Sequence, residues 1–156
     1  TFRTRLPLII ARPFNYTGPG QDTRFLIPKI VDHFARGCQE IELGNTHVSR
    51  DFSDVRDVVS AYLGLLEAPW QPEHSGEIVN VCSGIATPLN DIITHMNQLA
   101  GYEIAVKVNP AFVRANEIKS LRGSSERLKA RLGHPRTLTP LANTLRDMYR
   151  AQRNPS

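Results

Sequence analysis

Two cysteines and one tryptophan among 156 residues set the first limits on this chain. A disulfide-stapled scaffold needs closely spaced cysteine sets, whereas Cys38 and Cys82 stand apart and outside any Cys-x-x-Cys motif, so they read as free structural thiols. His33, His47, His74, His95 and His134 show no ligand spacing, and no metal site is expected. No run approaches the roughly 18 to 20 apolar residues of a membrane span. The opening "TFRTRLPLII" has neither the long apolar region nor the small-residue cleavage site of a signal peptide. The expectation is a cytoplasmic chain with no membrane partner.

What is present suits one domain with a real core: 40% of residues are apolar. The net charge of +4 is unevenly spread. Residues 1–113 hold 9 basic and 12 acidic side chains, while residues 114–156 hold 10 basic and 3 acidic. Solvated helix faces explain such a cluster, and a polyanion partner is the alternative. A basic nucleic-acid-binding module would interleave stacking aromatics with its cations, and beside these there are only Phe112 and Tyr149. A nucleic-acid partner is therefore not expected.

Apolar periodicity predicts an alternating α/β order. "LPLIIARPF" reads as a strand buried on both faces, as in a parallel sheet between helices. "FLIPKIVDHFARG" spaces Phe25, Ile27, Ile30, Val31 and Phe34 along one helical face, with Pro28 in the first turn and Gly37 as a C-terminal cap. "EIEL" reads as a short strand. "SDVRDVVSAYLGLLEAP" is a helix with Ser53 or Asp54 as N-cap and Val55, Val58, Val59, Tyr62, Leu63 and Leu66 at helical period. "EIVNV" and "EIAVKV" are strands flanking a helix, "TPLNDIITHMNQLAG", for which Thr87 is the expected N-cap and Pro88 the first residue. "SSERLKARLG" and "TPLANTLRDMYRAQ" close the chain as helices.

"NYTGPGQDT" resembles a phosphate-cradling glycine loop, with Gly18 and Gly20 after a strand and Glu40 and Glu42 at a plausible distance. It fails as a dinucleotide fingerprint. The third glycine position is Thr23, four residues separate strand from loop, Pro19 stiffens it and Pro28 interrupts the helix that should meet the pyrophosphate. A turn using glycine for positive φ is the plainer reading.

The ordered set "RPFNYTGPGQ", "FLIPKIV", "IELGNTHVSRDFSDVRDVVSAYLGLLE", "GEIVNVCSG" and "RANEIKSLRGSSERLKARLG" resembles the C-terminal half of the extended short-chain dehydrogenase/reductases that act on nucleotide sugars. The resemblance implies an α/β fold: the substrate-binding half of an extended Rossmann-type reductase, including the last strands of its parallel sheet. On that reading residues 1–24 form a strand and loop at the edge of the cofactor domain, and residues 25–156 form the substrate lobe. "RPFNYTGPGQ" together with "RDFSDVRDVV" is most similar to the branch that reduces a GDP-linked 6-deoxy-4-keto sugar to GDP-D-rhamnose. GDP-mannose 4,6-dehydratases and sugar-nucleotide 4-epimerases of the same superfamily remain alternatives. This chain has "GS" at Gly123 and Ser124 where the family usually has "GD", and "RA" at Arg114 and Ala115 where it has "RP".

Family chemistry uses a Tyr-x-x-x-Lys pair, but four residues after Tyr16, Tyr62, Tyr102 and Tyr149 stand Gly20, Leu66, Val106 and Arg153. No catalytic residue is expected in this segment, which should be inactive alone. NADP or NAD would be bound mainly by an N-terminal half acting as partner, and the full-length protein is expected to be a homodimer. The resemblance gives the backbone of Pro13 and Phe14 the nicotinamide end of the cofactor pocket, makes Arg114 a diphosphate ligand and assigns Glu117 to ribose hydroxyls. A solvated helix-face glutamate is the alternative for Glu117. Arg50, read as lying in a loop, offers a planar fork of donors to a diphosphate, or an ion pair to Asp51 or Asp54. Asn15 stands where parallel sheets place ligands, or makes a local turn. Lys29 reaches a phosphate or is a plain surface lysine. Asp54 and Asp57 read as helix N-terminal carboxylates.

Overall fold

The computed structural model describes residues 7–113, 116–134 and 136–154. Its first apolar run forms strand β1 (Ile9–Pro13), paired in parallel with β5 (Glu77–Val81) so that Ile9 faces Glu77 and Pro13 faces Val81. Helices α2 (Val55–Glu67) and α4 (Glu126–Leu132) cover one side of this pair. They bury Val58, Ala61, Leu65 and Leu128 with Val79 and Val81, against partly buried Ile9 and Ala11. The expectation of a strand buried on both faces is corrected. Leu8 and Ile10 are 52% and 42% exposed, because only one layer covers the pair among the described residues.

Helix α2 is corrected in the same way. Of the residues expected at helical period Val58 is buried, but Val59, Tyr62, Leu63 and Leu66 are exposed, and Ala61 and Leu65 join Val58 against the sheet instead. The helix carries apolar residues around most of its circumference, and one sheet can cover only one stripe.

The larger core joins α1 (Leu26–Ala35), β3 (Glu40–Leu43), α3 (Leu89–Ala100), β7 (Ala105–Val108) and α5 (Leu141–Arg153). Ile27, Ile30, Val31 and Phe34 of α1 meet Ile92 and Met96 of α3 and Leu145 and Met148 of α5 there. Strands β3 and β7 pair in parallel beside them. Phe25 departs from the expected face. It is the N-cap of α1 and is half exposed. Pro28 sits in the first helical turn, where the missing N–H removes no helical bond.

A third, polar sheet was not anticipated. Strand β4 (Ser49–Asp54) pairs in parallel with β2 (Asn15–Thr17) and β8 (Ser120–Leu121), and antiparallel with β6 (Ala86–Pro88). Arg50 therefore lies in a strand rather than a loop. Thr87 and Pro88 lie in β6, so α3 starts one residue later than expected, at Leu89.

The glycine loop after β2 is a turn. The Gln21 N–H donates to the Gly18 carbonyl, and Gly20 at the third position has φ +83°. Proline second and positive-φ glycine third are what a type II turn requires. Among the described residues no helix is long and apolar enough to cross a membrane.

Candidate functional site

The parallel pairing of β2 with β4 places Asn15 opposite Phe52, and the pairing of β4 with β8 carries the segment around Glu117 alongside Arg50. One cavity of about 800 Å³ opens there, between β4, the start of α1 and the segments around residues 44 and 112. Phe14, Asn15, Lys29, Arg50 and Glu117 all line it, five of the seven residues singled out from the sequence. Pro13 is exposed at the end of β1 and does not line the cavity. Arg114, and Ala115 beside it, lie outside the described residues.

Arg50 is fixed from two sides. One terminal nitrogen donates to the carbonyls of Ser49 at 2.9 Å and Ile118 at 2.7 Å. The other reaches Glu117 Oε1 at 3.5 Å, a long bond between side chains 19% and 17% exposed. The second oxygen of Glu117 is buried with no hydrogen-bond partner. Arg50 thus pairs with Glu117, not with Asp51 or Asp54, and Glu117 is not on a helix. A tightly positioned cation and a carboxylate with unused acceptor capacity face one cavity, a polarity suited to a ligand carrying both anionic and hydroxyl groups.

At the other wall, Lys29 donates from Nζ to the Glu42 carbonyl at 2.7 Å and lies 4.8 Å from the centre of the Phe112 ring. This is neither a free surface lysine nor one already holding an anion. Phe112 itself is half exposed at the cavity, and its carbonyl packs so close to Gly44 that a Cβ there would stand 2.5 Å away. Asn15 donates from Nδ2 to the Asp51 carbonyl at 3.2 Å, leaving its amide oxygen available.

Behind the cavity the carboxylates are structural. Asp54 caps α2 by accepting from the Arg56 N–H at 2.8 Å, and its two oxygens also take the Arg56 guanidinium and the Thr144 hydroxyl. Burial would raise its pKa, but the bonds from Arg56 and Thr144 outweigh that and hold it below the ordinary value. Asp57, in the first turn of α2 as expected, also accepts from the Thr139 N–H and hydroxyl. Asp51 carries no spacing signal that would single it out, although it lies inside the specific "SRDFSDVRDVV" block. Its carboxylate is fully buried and accepts four hydrogen bonds.

The basic C-terminal stretch is largely used internally. Arg127, Arg131 and Arg136 donate to the carbonyls of Ile78, Pro69 and Asp57, and Lys129 pairs with Glu126. Among the described residues no group of acidic, histidine or cysteine side chains is arranged to hold a metal ion. The glycine loop does not fit a dinucleotide either: it closes as a turn, and α1 begins six residues beyond Gly20 with Pro28 in its first turn.

Comparison with known proteins agrees with this architecture. The chain is 40% identical over 126 residues to GDP-6-deoxy-D-mannose reductase of Pseudomonas aeruginosa, covering 78% of this chain and 40% of that enzyme. The crystal structure of a candidate epimerase from Burkholderia cenocepacia J2315 is 52% identical, with a TM-score of 0.87 over 95% of this chain and 47% of that one. The NADPH complex of RMD from Pseudomonas aeruginosa is 33% identical, with a TM-score of 0.82 over 93% of this chain and 48% of that one. The chain therefore spans less than half the length of each of these relatives. The family profile of GDP-mannose 4,6 dehydratase matches residues 2–148. With that profile spanning nearly all of its residues, the chain belongs to the GDP-mannose 4,6 dehydratase family, in the epimerase/dehydratase branch of the short-chain dehydrogenase/reductases that its motifs resemble.

Proposed function

We propose that this chain is the substrate-binding part of an NAD(P)H-dependent oxidoreductase that reduces a GDP-linked 6-deoxy-4-keto sugar to GDP-D-rhamnose. The observation that carries the reading is the single cavity lined by Asn15, Lys29, Arg50 and Glu117, which are spread over the sequence from residue 15 to residue 117. Its volume is in the range of small-molecule and cofactor sites. Arg50 presents its guanidinium to the diphosphate, where a dianion competes well against the long contact to Glu117. Glu117 then turns its unused oxygen to ribose hydroxyls. Lys29 supports the nucleotide from α1, and the amide oxygen of Asn15 takes a sugar hydroxyl beside the tip of β1. GDP-6-deoxy-D-mannose reductase, similar over about four fifths of this chain, supports a GDP-linked 6-deoxy sugar and a reduction.

The nicotinamide cofactor supplies hydride when bound, and its dinucleotide is held by a partner half rather than by this chain. Phe14, bordering the cavity, and Pro13 are the residues here that meet its reactive end. That partner half seats on the free side of β1 and on the exposed apolar stripe of α2, where Leu8, Ile10, Tyr62 and Leu66 stand in water. Parallel strands are stable when both faces are covered, and an apolar stripe of this kind is the expected footprint of a second layer. The C4 proton comes from that half as well, because no tyrosine here has a lysine four residues on.

A second reading, a GDP-mannose 4,6-dehydratase or a 4-epimerase, is favoured by the family profile and by the candidate epimerase at 52% identity. Titration calorimetry with GDP and with UDP tests the nucleotide, and incubation of the full-length polypeptide with NADPH and the 4-keto sugar nucleotide tests the chemistry. Formation of GDP-D-rhamnose supports the first reading. Conversion of GDP-mannose itself supports the second, and absence of GDP binding overturns both.

A further inference from the structure

Asp51 is a buried carboxylate satisfied entirely by neutral donors. Its Oδ1 accepts from the Ser83 N–H at 2.9 Å and the Ser83 hydroxyl at 2.7 Å, and its Oδ2 accepts from the N–H groups of Gly84 at 2.9 Å and Gly123 at 3.1 Å. Its own carbonyl takes the Asn15 side chain. Four segments therefore meet at one residue of β4: the start of β2, the turn after β5, the strand itself and the segment leading into α4. In a strand, successive side chains point to opposite faces. Arg50 and Phe52 accordingly line the cavity while Asp51 faces away from it.

The segment that Oδ2 holds is tightly placed. A Cβ on Gly123 would stand 2.5 Å from Cys82 Sγ and 2.9 Å from Phe14 Cε2, so the chain passes here directly over the buried thiol and against a residue of the cavity wall. The Asp51 bond to the Gly123 N–H anchors this segment behind β4.

We infer that Asp51 is a positioning residue for the nucleotide-sugar site: its carboxylate pins the Ser83–Gly84 turn and Gly123 behind β4, and so holds Asn15, Phe14 and Arg50 in the arrangement that binds ligand. The inference rests on the functional reading given above. It adds to that reading a group that touches no ligand and acts from the back of the strand.

The test uses the full-length polypeptide and two readouts, GDP affinity by calorimetry and the labelling rate of Cys82 by a thiol reagent, located by peptide mass. Asp51→Asn keeps the size but turns an amide N–H₂ toward donors that need an acceptor. It is expected to lower GDP affinity by about tenfold or more, as loss of groups that orient ligand-binding residues commonly does. It should also raise Cys82 labelling relative to Cys38, and GDP, which should slow Cys82 labelling in the unsubstituted chain, should no longer do so. Burial and the Asp51 charge both raise the Cys82 pKa, so removal of the charge would itself speed labelling. Ser83→Ala separates the effects. It keeps the charge and removes one of the four bonds, together with the bond that the Ser83 hydroxyl accepts from the Ile85 N–H inside the turn, and is expected to give a smaller shift of both readouts in the same direction. It also carries the test if Asp51→Asn does not fold. Unchanged GDP affinity and Cys82 protection in a folded Asp51→Asn chain, or in Ser83→Ala where that variant carries the test, overturns the inference. Failure of the unsubstituted chain to bind GDP overturns the functional reading and with it the ligand-positioning role, while Cys82 labelling still decides whether Asp51 anchors Gly123.

Discussion

Replacing Thr144 by valine probes the junction on which the site is built. Thr144 in α5 is fully buried, and its hydroxyl donates to Asp54 Oδ2 at 2.7 Å across 90 residues of sequence. Asp54 caps α2 immediately after β4, so this bond ties the larger core to the strand that carries Arg50. The swap keeps the shape and removes one of four bonds to a buried carboxylate, the other three coming from the backbone and guanidinium of Arg56. A hydrogen bond to a charged group contributes roughly 1.5–3 kcal/mol, and Asp54 keeps its remaining partners, so a loss of about 2 kcal/mol is expected at neutral pH. The pH dependence sharpens the test. Asp54 has its pKa depressed in the folded chain, so its contribution is present above the ordinary carboxylate value of 3.8 and fades as pH falls through the lower folded value. Thr144→Val moves the folded value back toward the ordinary one, so the gap between parent and variant should narrow below about pH 4. Urea denaturation followed by circular dichroism, at neutral pH and in acid, measures both quantities. A gap below about 0.5 kcal/mol at neutral pH, or one that stays constant into acid, would refute the role given to this bond.

Three further outcomes are expected. Arg50→Ala should leave the fold intact and weaken GDP binding by roughly 10-fold to 100-fold, the loss of charge-assisted bonds to a diphosphate, as read by calorimetry. Gly123→Ala should destabilise the chain by about 1–3 kcal/mol in urea titrations, because its new methyl meets Cys82 and Phe14 at less than van der Waals separation. Replacing Leu63 and Leu66 together by lysine, which suits the C-terminal end of α2, should lower self-association in light scattering while changing stability by less than about 0.5 kcal/mol, since both side chains are already exposed.

The helices were legible where apolar spacing alone decides them. The buried positions Ile27, Ile30, Val31 and Phe34 of α1 are those its periodicity marked, and the glycine turn follows from Pro19 and Gly20. Periodicity could not say which stripe of α2 meets the sheet, because apolar residues at 55, 58, 59, 61, 62, 63, 65 and 66 satisfy several faces at once and the choice is made by β1 and β5. Strand β4 was illegible for the opposite reason. "SRDFSD" contains a single apolar residue, and what makes it a central strand is side-chain bonding: Asp51 to the segments at 83, 84 and 123, Asp54 to Arg56 and Thr144. The same strand geometry explains why Arg50 takes neither carboxylate offered to it by sequence proximity. Asp51 points to the other face, and Asp54 stands about 13 Å farther along at roughly 3.3 Å per residue, already committed to capping α2. Glu117 reaches Arg50 only because β8 adds in parallel to the start of β4. Composition marked these residue types as able to bind a nucleotide, and motif resemblance named them. Their meeting depends on the registers of two short polar strand pairs, which hydrophobic pattern cannot encode and which a buried aspartate enforces.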